Sequence, residues 1–254
     1  MERYARNRIY ISDRDQVTIR DFRVLLAGIG VGSCIAETLL RIGFETITLV
    51  DGAIVKNSDL NRQNYTEDDL GLPKTKALRR RLLSINPQAK ISTRDTFIDH
   101  ENITEIISGH DVAINTLDCE NDIPFVFDRC CAEQGIYVLH PYNLGFSGIV
   151  TVITPGGESL ESLRAQGEDY QSFEKYFIRH ITNYFNGQAR PKIWLEEIMH
   201  THEKEGKTLS PSRLSIASSL LSGICTSILV RIVRREFVKT FPKFYYYSEY
   251  DDLN

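Results

Sequence analysis

The chain has 254 residues, of which 42% are hydrophobic and 25% charged, and its formal net charge is -4. This composition supports a full hydrophobic core and excludes a wholly disordered chain, and the mild acidity gives no general attraction to nucleic acid or an anionic membrane. Any anionic ligand must therefore be held by a local basic cluster. The basic start of the chain lacks the apolar core of a signal peptide, and the five scattered cysteines form no CxxC pair. These features predict a cytoplasmic protein without cysteine-ligated zinc.

Short apolar strands alternate with helices in the first half of the chain. We predict strands over 23–27, 46–50, 90–97, 111–115 and 136–139, and helices over 34–42, 73–85, 101–108 and 122–134. Strands separated by helices indicate a parallel sheet covered on both faces. The next strand, 147–154, is interpreted as antiparallel. The predicted fold class is therefore α/β, Rossmann-like and doubly wound, with a mostly parallel sheet, helices on both faces and an antiparallel extension.

The second half of the chain gives weaker patterns. Residues 155–209 are polar, aromatic and weakly periodic, and we interpret them as a crossing or partner-facing segment. The apolar run from Leu214 to Val230 is shorter than the roughly 20 residues of a membrane span and contains serines, so we predict a buried helix that starts near Ser210 and Pro211. A short strand is expected over 244–247. We predict one domain with an N-terminal arm (1–22), a nucleotide-binding core (23–154), the crossing segment (155–209) and a closing helix and strand (210–254).

A glycine-rich turn separates the first strand from the first helix. Gly28, Gly30 and Gly32 allow the backbone to approach a phosphate, and the helix N-terminus favours negative charge there. Asp51 ends the second strand, 19 positions beyond Gly32 (51 minus 32), close to the roughly 20 expected for a ribose-binding acid. Together these features predict a nucleotide site, and they suit NAD as well as ATP.

Charged side chains beyond the second strand favour ATP. Attack at its α-phosphate places charge on several oxygens, and Arg62 and Lys74 are the candidate cations to neutralise it. Both residues are expected at the rim where such sheets bind ligands. Asp118 follows the strand 111–115 at the same rim and is the candidate ligand for Mg²⁺, which takes one or two carboxylates together with phosphate oxygens.

With these motifs the chain resembles the ThiF/MoeB/HesA family, the bacterial relatives of ubiquitin-activating enzymes. The motifs lie within residues 3–154 and are Arg3-Tyr-Ala-Arg6, Ala27-Gly-Ile-Gly-Val-Gly-Ser33, Asp51 with Ser58-Asp-Leu-Asn-Arg-Gln63, Gly71-Leu-Pro-Lys74, Ile85-Asn-Pro87 and Thr116-Leu-Asp118. The resemblance implies an ATP-dependent adenylyltransferase, usually a homodimer. Such an enzyme joins AMP to the C-terminal carboxylate of a ubiquitin-like or sulfur-carrier protein, or of a peptide, and releases pyrophosphate.

The resemblance also implies roles for individual residues. The implied nucleotide-binding residues are Gly28, Gly30, Gly32, Asp51, Ser58, Asp59, Arg62, Gln63 and Lys74. The implied catalytic residues are Arg6, Arg62, Lys74 and Asp118. In this scheme Asp51 holds the ribose, Asp118 positions Mg²⁺, and Arg6 reaches into the site of the partner subunit.

The chain departs from the family pattern at several positions. Ala27, Ile29, Ala53 and Ile123 replace residues that are common there, and Asp59 stands where asparagine is usual, which adds negative charge near the phosphates. The zinc-binding CxxC pairs of many relatives are absent, so no zinc is expected. Two alternatives remain open at this point: an NAD-dependent oxidoreductase, and a catalytically silent family member that only binds a carrier protein.

Overall fold

A seven-stranded sheet forms the centre of the molecule, in the order β3-β2-β1-β4-β5-β6-β7. The computed structural model describes residues 2–164, 173–185, 189–205 and 212–248. The strands are β1 (Arg23–Ala27), β2 (Thr46–Val50), β3 (Lys90–Arg94), β4 (Val112–Asn115), β5 (Tyr137–Leu144), β6 (Ser147–Ile153) and β7 (Phe244–Ser248). Strands β1 to β5 pair in parallel, whereas β6 and β7 are antiparallel additions. The predicted mostly parallel sheet with an antiparallel extension is confirmed.

Helices cover both faces of this sheet. They are α1 (Asp13–Asp21), α2 (Val31–Ile42), α3 (Lys74–Ile85), α4 (Ile103–Ile107), α5 (Ile123–Glu133), α6 (Phe173–Tyr184), α7 (Ala189–Glu205) and α8 (Ser215–Val233). Short 3₁₀ helices occupy Glu2–Asn7, Asn57–Asp59, Glu67–Asp69 and Leu160–Leu163. Successive side chains of β1 face opposite layers: Leu26 packs in the core under α2, α3 and α8, and Leu25 in the core under α4, α5 and α6.

Strand order reverses between β1 and β4. The chain runs outward from β1 through β2 to β3, and then crosses to β4 on the other side of β1. In open α/β sheets such a switch point opens a crevice at the carboxyl ends of the strands, where ligands bind. The turn after β1 and the loop after β4 therefore meet at the expected ligand crevice.

The region 155–209 differs most from its prediction. It contains α6 and α7, which the weak periodicity did not predict, while its role as a crossing or partner-facing segment stays a prediction. Phe173, Phe177 and Ile181 recur every four residues and are all buried, which gives α6 an amphipathic helical face that buried Phe185 continues directly after the helix. Neighbouring aromatic residues such as Tyr184, which is exposed, obscure that period in the sequence.

The predicted closing helix is present as α8, but it starts later than expected. It begins at Ser215 with Leu214 at the N-cap, and the predicted start at Ser210 and Pro211 lies outside the described residues. Ala217, Leu221 and Cys225 form the buried face, which packs on α2 and on strands β5 and β6. By length and composition alone, α8 is long and apolar enough to cross a membrane. Half of its most apolar stretch is buried within the protein.

Smaller differences concern the ends of elements and the N-terminal arm. Helix α2 starts at Val31 rather than at residue 34, and β3 ends at Arg94 rather than at residue 97. Strand β5 continues to Leu144 because it pairs with β6 from Val138 onward. The arm contains α1, which the sequence reading missed. Its N-cap is Ser12, whose hydroxyl accepts a hydrogen bond from the backbone of Asp15.

Candidate functional site

The glycine turn after β1 is held against the loop after β4. Gly28 has a φ of 83°, and its amide donates to the carbonyl of Val50 at 2.9 Å. The hydroxyl of Thr116 donates to the carbonyls of Gly28 (2.9 Å) and Ala27 (3.1 Å). A Cβ at Gly28 would lie 2.6 Å from the Thr116 hydroxyl oxygen. The turn therefore requires glycine at position 28, for its backbone conformation and for lack of space.

Asp51 fastens the end of β2 to this turn. Its Oδ2 accepts a hydrogen bond from the amide of Ile29 at 2.9 Å, and its Oδ1 accepts one from the amide of Ala53 at 2.8 Å. The buried hydroxyl of Tyr65 donates to the carbonyl of Ile29 at 2.9 Å. The acid expected at the ribose thus lies at the predicted position and also shapes the turn. Tyr65, which the sequence reading missed, supports the turn from the other side.

Asp59 is the centre of a buried polar cluster. Its carboxylate lies 3.4 Å from Nζ of Lys74 and 3.8 Å from a guanidinium nitrogen of Arg62. It accepts hydrogen bonds from the side-chain amide of Gln63 at 2.8 Å and from the backbone of Lys56 at 3.0 Å. The negative charge that Asp59 adds is therefore matched by the two predicted cations, which it holds together although they belong to a loop and a helix.

This cluster lies beside the glycine turn. A Cβ built on Gly30 would lie 3.5 Å from the amide nitrogen of Gln63. The amide oxygen of Gln63 is buried and has no hydrogen-bond partner among the described residues. Buried polar atoms are nearly always paired, so this acceptor facing the turn fits a site that takes a polar ligand.

Two other predicted binding residues, Ser58 and Gly32, make structural contacts near the site. Ser58 is exposed, and its carbonyl accepts a hydrogen bond from the Arg62 guanidinium at 2.6 Å. Gly32 is buried in the first turn of α2, where a Cβ would lie 3.3 Å from Leu26. Gly32 thus allows α2 to pack closely on β1.

A second polar network fixes the loop that carries Arg62 and Gln63. The amide of Asn64 donates to the Ser33 hydroxyl at 3.0 Å, and its side chain donates to Glu37 at 3.0 Å. Glu37 also pairs with Arg81 at 2.6 Å and Arg41 at 2.7 Å. Burial alone would raise the pKa of Glu37, but the hydrogen bonds from the two arginines outweigh burial and hold that pKa below its ordinary value. The loop is therefore tied to α2 and α3 by an ionised carboxylate.

Asp118 lies at the rim after β4, as expected, and pairs with a residue that the sequence reading did not assign to the site. Its exposed carboxylate lies 3.2 Å from the guanidinium of Arg213, just before α8. Burial, followed by repulsion from Arg213, lowers the pKa of Arg62, while Asp59 and Asp118 oppose that shift. Arg213 therefore belongs to the same electrostatic cluster. It is 95 positions from Asp118 in the chain, and no local motif marks it.

Arg6 lies apart from the other predicted site residues. Its 3₁₀ helix is anchored where Tyr4 donates to Glu45 at 2.9 Å and Asn7 donates to the carbonyl of Ile42 at 3.0 Å. Ile42 ends α2 and Glu45 precedes β2, so this anchor is at the amino ends of the strands, away from the crevice. The 12 residues of α2 separate that end from Gly30 by about 18 Å. The exposed side chain of Arg6 does not reach the crevice of its own chain.

A model of the ThiF family matches residues 4–251 of the chain. The SAMP-activating enzyme E1 of Haloferax volcanii is 26% identical over 169 residues, which cover 64% of this chain and 62% of that protein. The sulfur carrier protein ThiS adenylyltransferase of Bacillus subtilis is 29% identical over 160 residues, which cover 61% of this chain and 47% of that protein. Among solved structures, E. coli MccB with AMPCPP and MccA matches with a TM-score of 0.69 and 15% identity, over 97% of this chain and 71% of that chain.

These similarities differ in what they establish. The matched region spans 62% and 47% of the lengths of the two curated relatives. The likeness to MccB, at 15% identity, shows the fold alone. The two curated relatives are named as an activating enzyme and an adenylyltransferase. Their names favour neither an oxidoreductase nor a catalytically silent carrier-binding protein. Because the family model covers nearly the whole chain, the resemblance seen in the motifs is confirmed, and the chain belongs to the ThiF family.

Proposed function

We propose that this protein is an ATP-dependent adenylyltransferase that activates the C-terminal carboxylate of a ubiquitin-like or sulfur-carrier protein, or of a peptide, as an acyl-adenylate. The observation that carries the proposal is the convergence of Arg62 and Lys74 on Asp59 beside the glycine turn. Two cations held at a phosphate-binding turn suit a polyphosphate better than a hydride acceptor. The named activities of the two curated relatives support the same chemistry.

The reaction needs alignment and charge neutralisation more than a protein nucleophile. An acceptor carboxylate is ionised at neutral pH, and one of its oxygens attacks the α-phosphorus of ATP. The new oxygen–phosphorus bond forms as the bond to the β-phosphate breaks, and pyrophosphate leaves with the electron pair. In this proposal Arg62 and Lys74, which both approach Asp59, neutralise the charge that develops on the phosphate oxygens.

The residues at the crevice fit ATP and a magnesium ion. The glycine turn leaves room for a phosphate, and the unpaired oxygen of Gln63 beside it is an acceptor suited to a donor group of the nucleotide, such as a ribose hydroxyl, rather than to a phosphate. Asp118 is an exposed carboxylate at the same rim, and Mg²⁺ is commonly bound by one or two carboxylates together with substrate phosphates. In this proposal Asp118 holds the ion, which would neutralise phosphate charge when bound. The five free thiols fit a reducing environment, and we propose a cytoplasmic location.

The proposal is tested by exchange of radiolabelled pyrophosphate into ATP. We expect exchange only when a candidate acceptor is present, such as a small ubiquitin-like protein that ends in Gly-Gly. The matched control is the same acceptor with its C-terminal carboxylate amidated, which should give no exchange because it lacks the nucleophile. Binding of such acceptors without ATP binding would instead favour the silent carrier-binding protein, and binding of a nicotinamide nucleotide would favour the oxidoreductase.

We further propose that the enzyme works as a homodimer in which Arg6 completes the site of the partner subunit. The anchoring of the N-terminal arm at the amino ends of the strands supports this arrangement, because Arg6 does not reach the crevice of its own chain. An exposed arginine on a docked arm is free to meet a second copy.

Mixing two inactive variants tests the action of Arg6 between subunits. We expect Arg6→Ala and Arg62→Ala each to lose activity alone, and an equal mixture after subunit exchange to recover about a quarter of wild-type activity. Half of the randomly formed dimers would be mixed, and each of these would contain one intact site. Activity of the mixture no higher than that of the separate variants would rule out the arrangement. Arg62→Ala with Lys74→Ala is the matched control: both residues belong to the site of their own chain, so no mixed dimer contains an intact site and no recovery is expected.

A further inference from the structure

Arg213 is a cation of the crevice without a role in the adenylation scheme above. Its guanidinium lies 3.2 Å from Asp118, and the side chain of Asp118 is 70% exposed. Ion pairs between solvent-exposed partners are weak, because water and salt screen them. The contact between Arg213 and Asp118 can therefore be exchanged for a stronger anion.

The backbone around Arg213 is held in place from two sides. Its carbonyl accepts a hydrogen bond at 3.2 Å from the side chain of Asn61, which precedes Arg62 in the loop that carries Arg62 and Gln63. The carbonyl of Leu214 accepts one from the side chain of Asn143 at 2.9 Å, at the end of β5. The start of α8 is thus tied to the site, and a change of partner by Arg213 requires only side-chain rotation.

The charge balance of the site shows what such a change would achieve. Arg62 and Lys74 share the buried carboxylate of Asp59, which cancels part of their positive charge. Including Asp51 and Asp118, two cationic side chains face three carboxylates, so without Arg213 these side chains carry a net negative charge that opposes the attraction of the helix N-terminus for a polyphosphate. Arg213 brings the number of cations to three, and its own carboxylate partner is the residue that we assign to Mg²⁺.

We propose that Arg213 is a further ATP-binding residue that exchanges partners: it neutralises Asp118 before ATP binds and turns to the phosphates once a metal ion takes over Asp118. This inference rests on the adenylyltransferase function and on the role of Asp118 proposed above. It explains how a site with an added acid at position 59 keeps its attraction for a polyphosphate. Arg213 would then couple the start of α8 to nucleotide binding.

Calorimetric titration of ATP into the full chain tests whether Arg213 binds ATP. In excess Mg²⁺ we expect Arg213→Ala to weaken ATP binding by about tenfold, because one hydrogen bond to a charged group is lost. Arg213→Lys should retain part of the affinity, since it keeps the charge without the planar fork. Arg20→Ala is the matched control, because Arg20 also forms an exposed pair, with Asp21 at 3.3 Å, but lies on α1. A thermal melt of each variant verifies folding.

A double-mutant cycle in EDTA tests the exchange of partners without a metal ion. We expect Asp118→Asn to tighten ATP binding several-fold, because Arg213 is released to the phosphates and a negative charge is removed. The gain in ATP affinity from Asp118→Asn should be smaller when Arg213 is already alanine. It is then measured between Arg213→Ala and the double variant Asp118→Asn/Arg213→Ala. An undiminished gain in the double variant would overturn the exchange, because loss of repulsion by Asp118 alone would then explain it.

The outcomes separate this inference from the function on which it rests. A wild-type chain that binds no ATP would overturn both the adenylyltransferase assignment and the role of Arg213. Tight Mg²⁺-dependent ATP binding that Arg213→Ala leaves unchanged would overturn the role of Arg213 alone. Weakened binding in Arg213→Ala, with normal binding in Arg20→Ala, would support both.

Discussion

Replacing Lys74 with alanine is expected to slow acceptor-dependent pyrophosphate exchange by about 10²-fold or more, as for other preorganised charges that stabilise a transition state. Lys74 starts α3, is buried, and lies 3.4 Å from Asp59. Steady-state rates at saturating ATP and acceptor measure the effect on the chemical step.

The matched control for this variant is Lys76→Ala. Lys76 lies two residues further along α3 and is exposed, so its removal should leave the rate near that of the wild type. Loss of Lys74 also leaves Asp59 with less compensating charge, which we expect to lower the melting temperature.

A double variant separates the catalytic effect from this loss of stability. Asp59→Asn/Lys74→Met removes both members of the buried pair and should recover much of the melting temperature. We expect its exchange rate to remain low, because the positive charge at the phosphates is still missing. Recovery of the rate together with the stability would show that Lys74 acts only by supporting the fold.

Replacing Gly28 with alanine is expected to destabilise the protein by about 2–5 kcal/mol, from left-handed backbone strain together with steric overlap. The backbone φ of 83° disfavours any residue with a Cβ, and that Cβ would lie 2.6 Å from the Thr116 hydroxyl oxygen and 3.0 Å from its carbonyl. The second contact is with backbone, so rotation of a side chain cannot relieve it. Urea denaturation measures the change in the free energy of unfolding.

Gly71→Ala separates backbone strain from overlap. Gly71 has a φ of 78°, close to that of Gly28, but a Cβ there would meet no atom within 4 Å. We therefore expect a smaller loss of about 1–2 kcal/mol from backbone strain alone. Equal losses in the two variants would contradict the proposed packing of the turn against Thr116.

Local chemistry was sufficient to predict the central part of the fold. The β-branched strand 46–50 has the predicted ends, and Gly43 closes α2 in the left-handed conformation as its position suggests. Helix α3 begins directly after Pro73 and ends before Asn86, again as predicted. These features depend on neighbours within a few residues, so the sequence contains the signals that decide them.

The region around α6 shows where sequence reasoning failed. Its buried positions follow a helical period, but tyrosines on adjacent faces hide that period from a pattern based on hydrophobicity. The tyrosine ring supplies apolar surface while its hydroxyl tolerates water, so composition alone does not tell which face is buried. Packing against β5 and β7 decides which face of α6 is buried.

For the site, the sequence by itself determined the residue types, their order and the family to which the chain belongs. It placed the glycine turn, Asp51 and the basic residues at the carboxyl ends of neighbouring strands, because alternating strands and helices fix that geometry. Only the tertiary structure decided that Asp59 unites Arg62 with Lys74, that Arg213 meets Asp118, and that Arg6 lies at the opposite end of α2. The physical reason is that Lys74 reaches Asp59 from a different element, and Arg213 is 95 positions from Asp118, so these contacts follow from how the loops and helices pack on the sheet. No local pattern contains those distances.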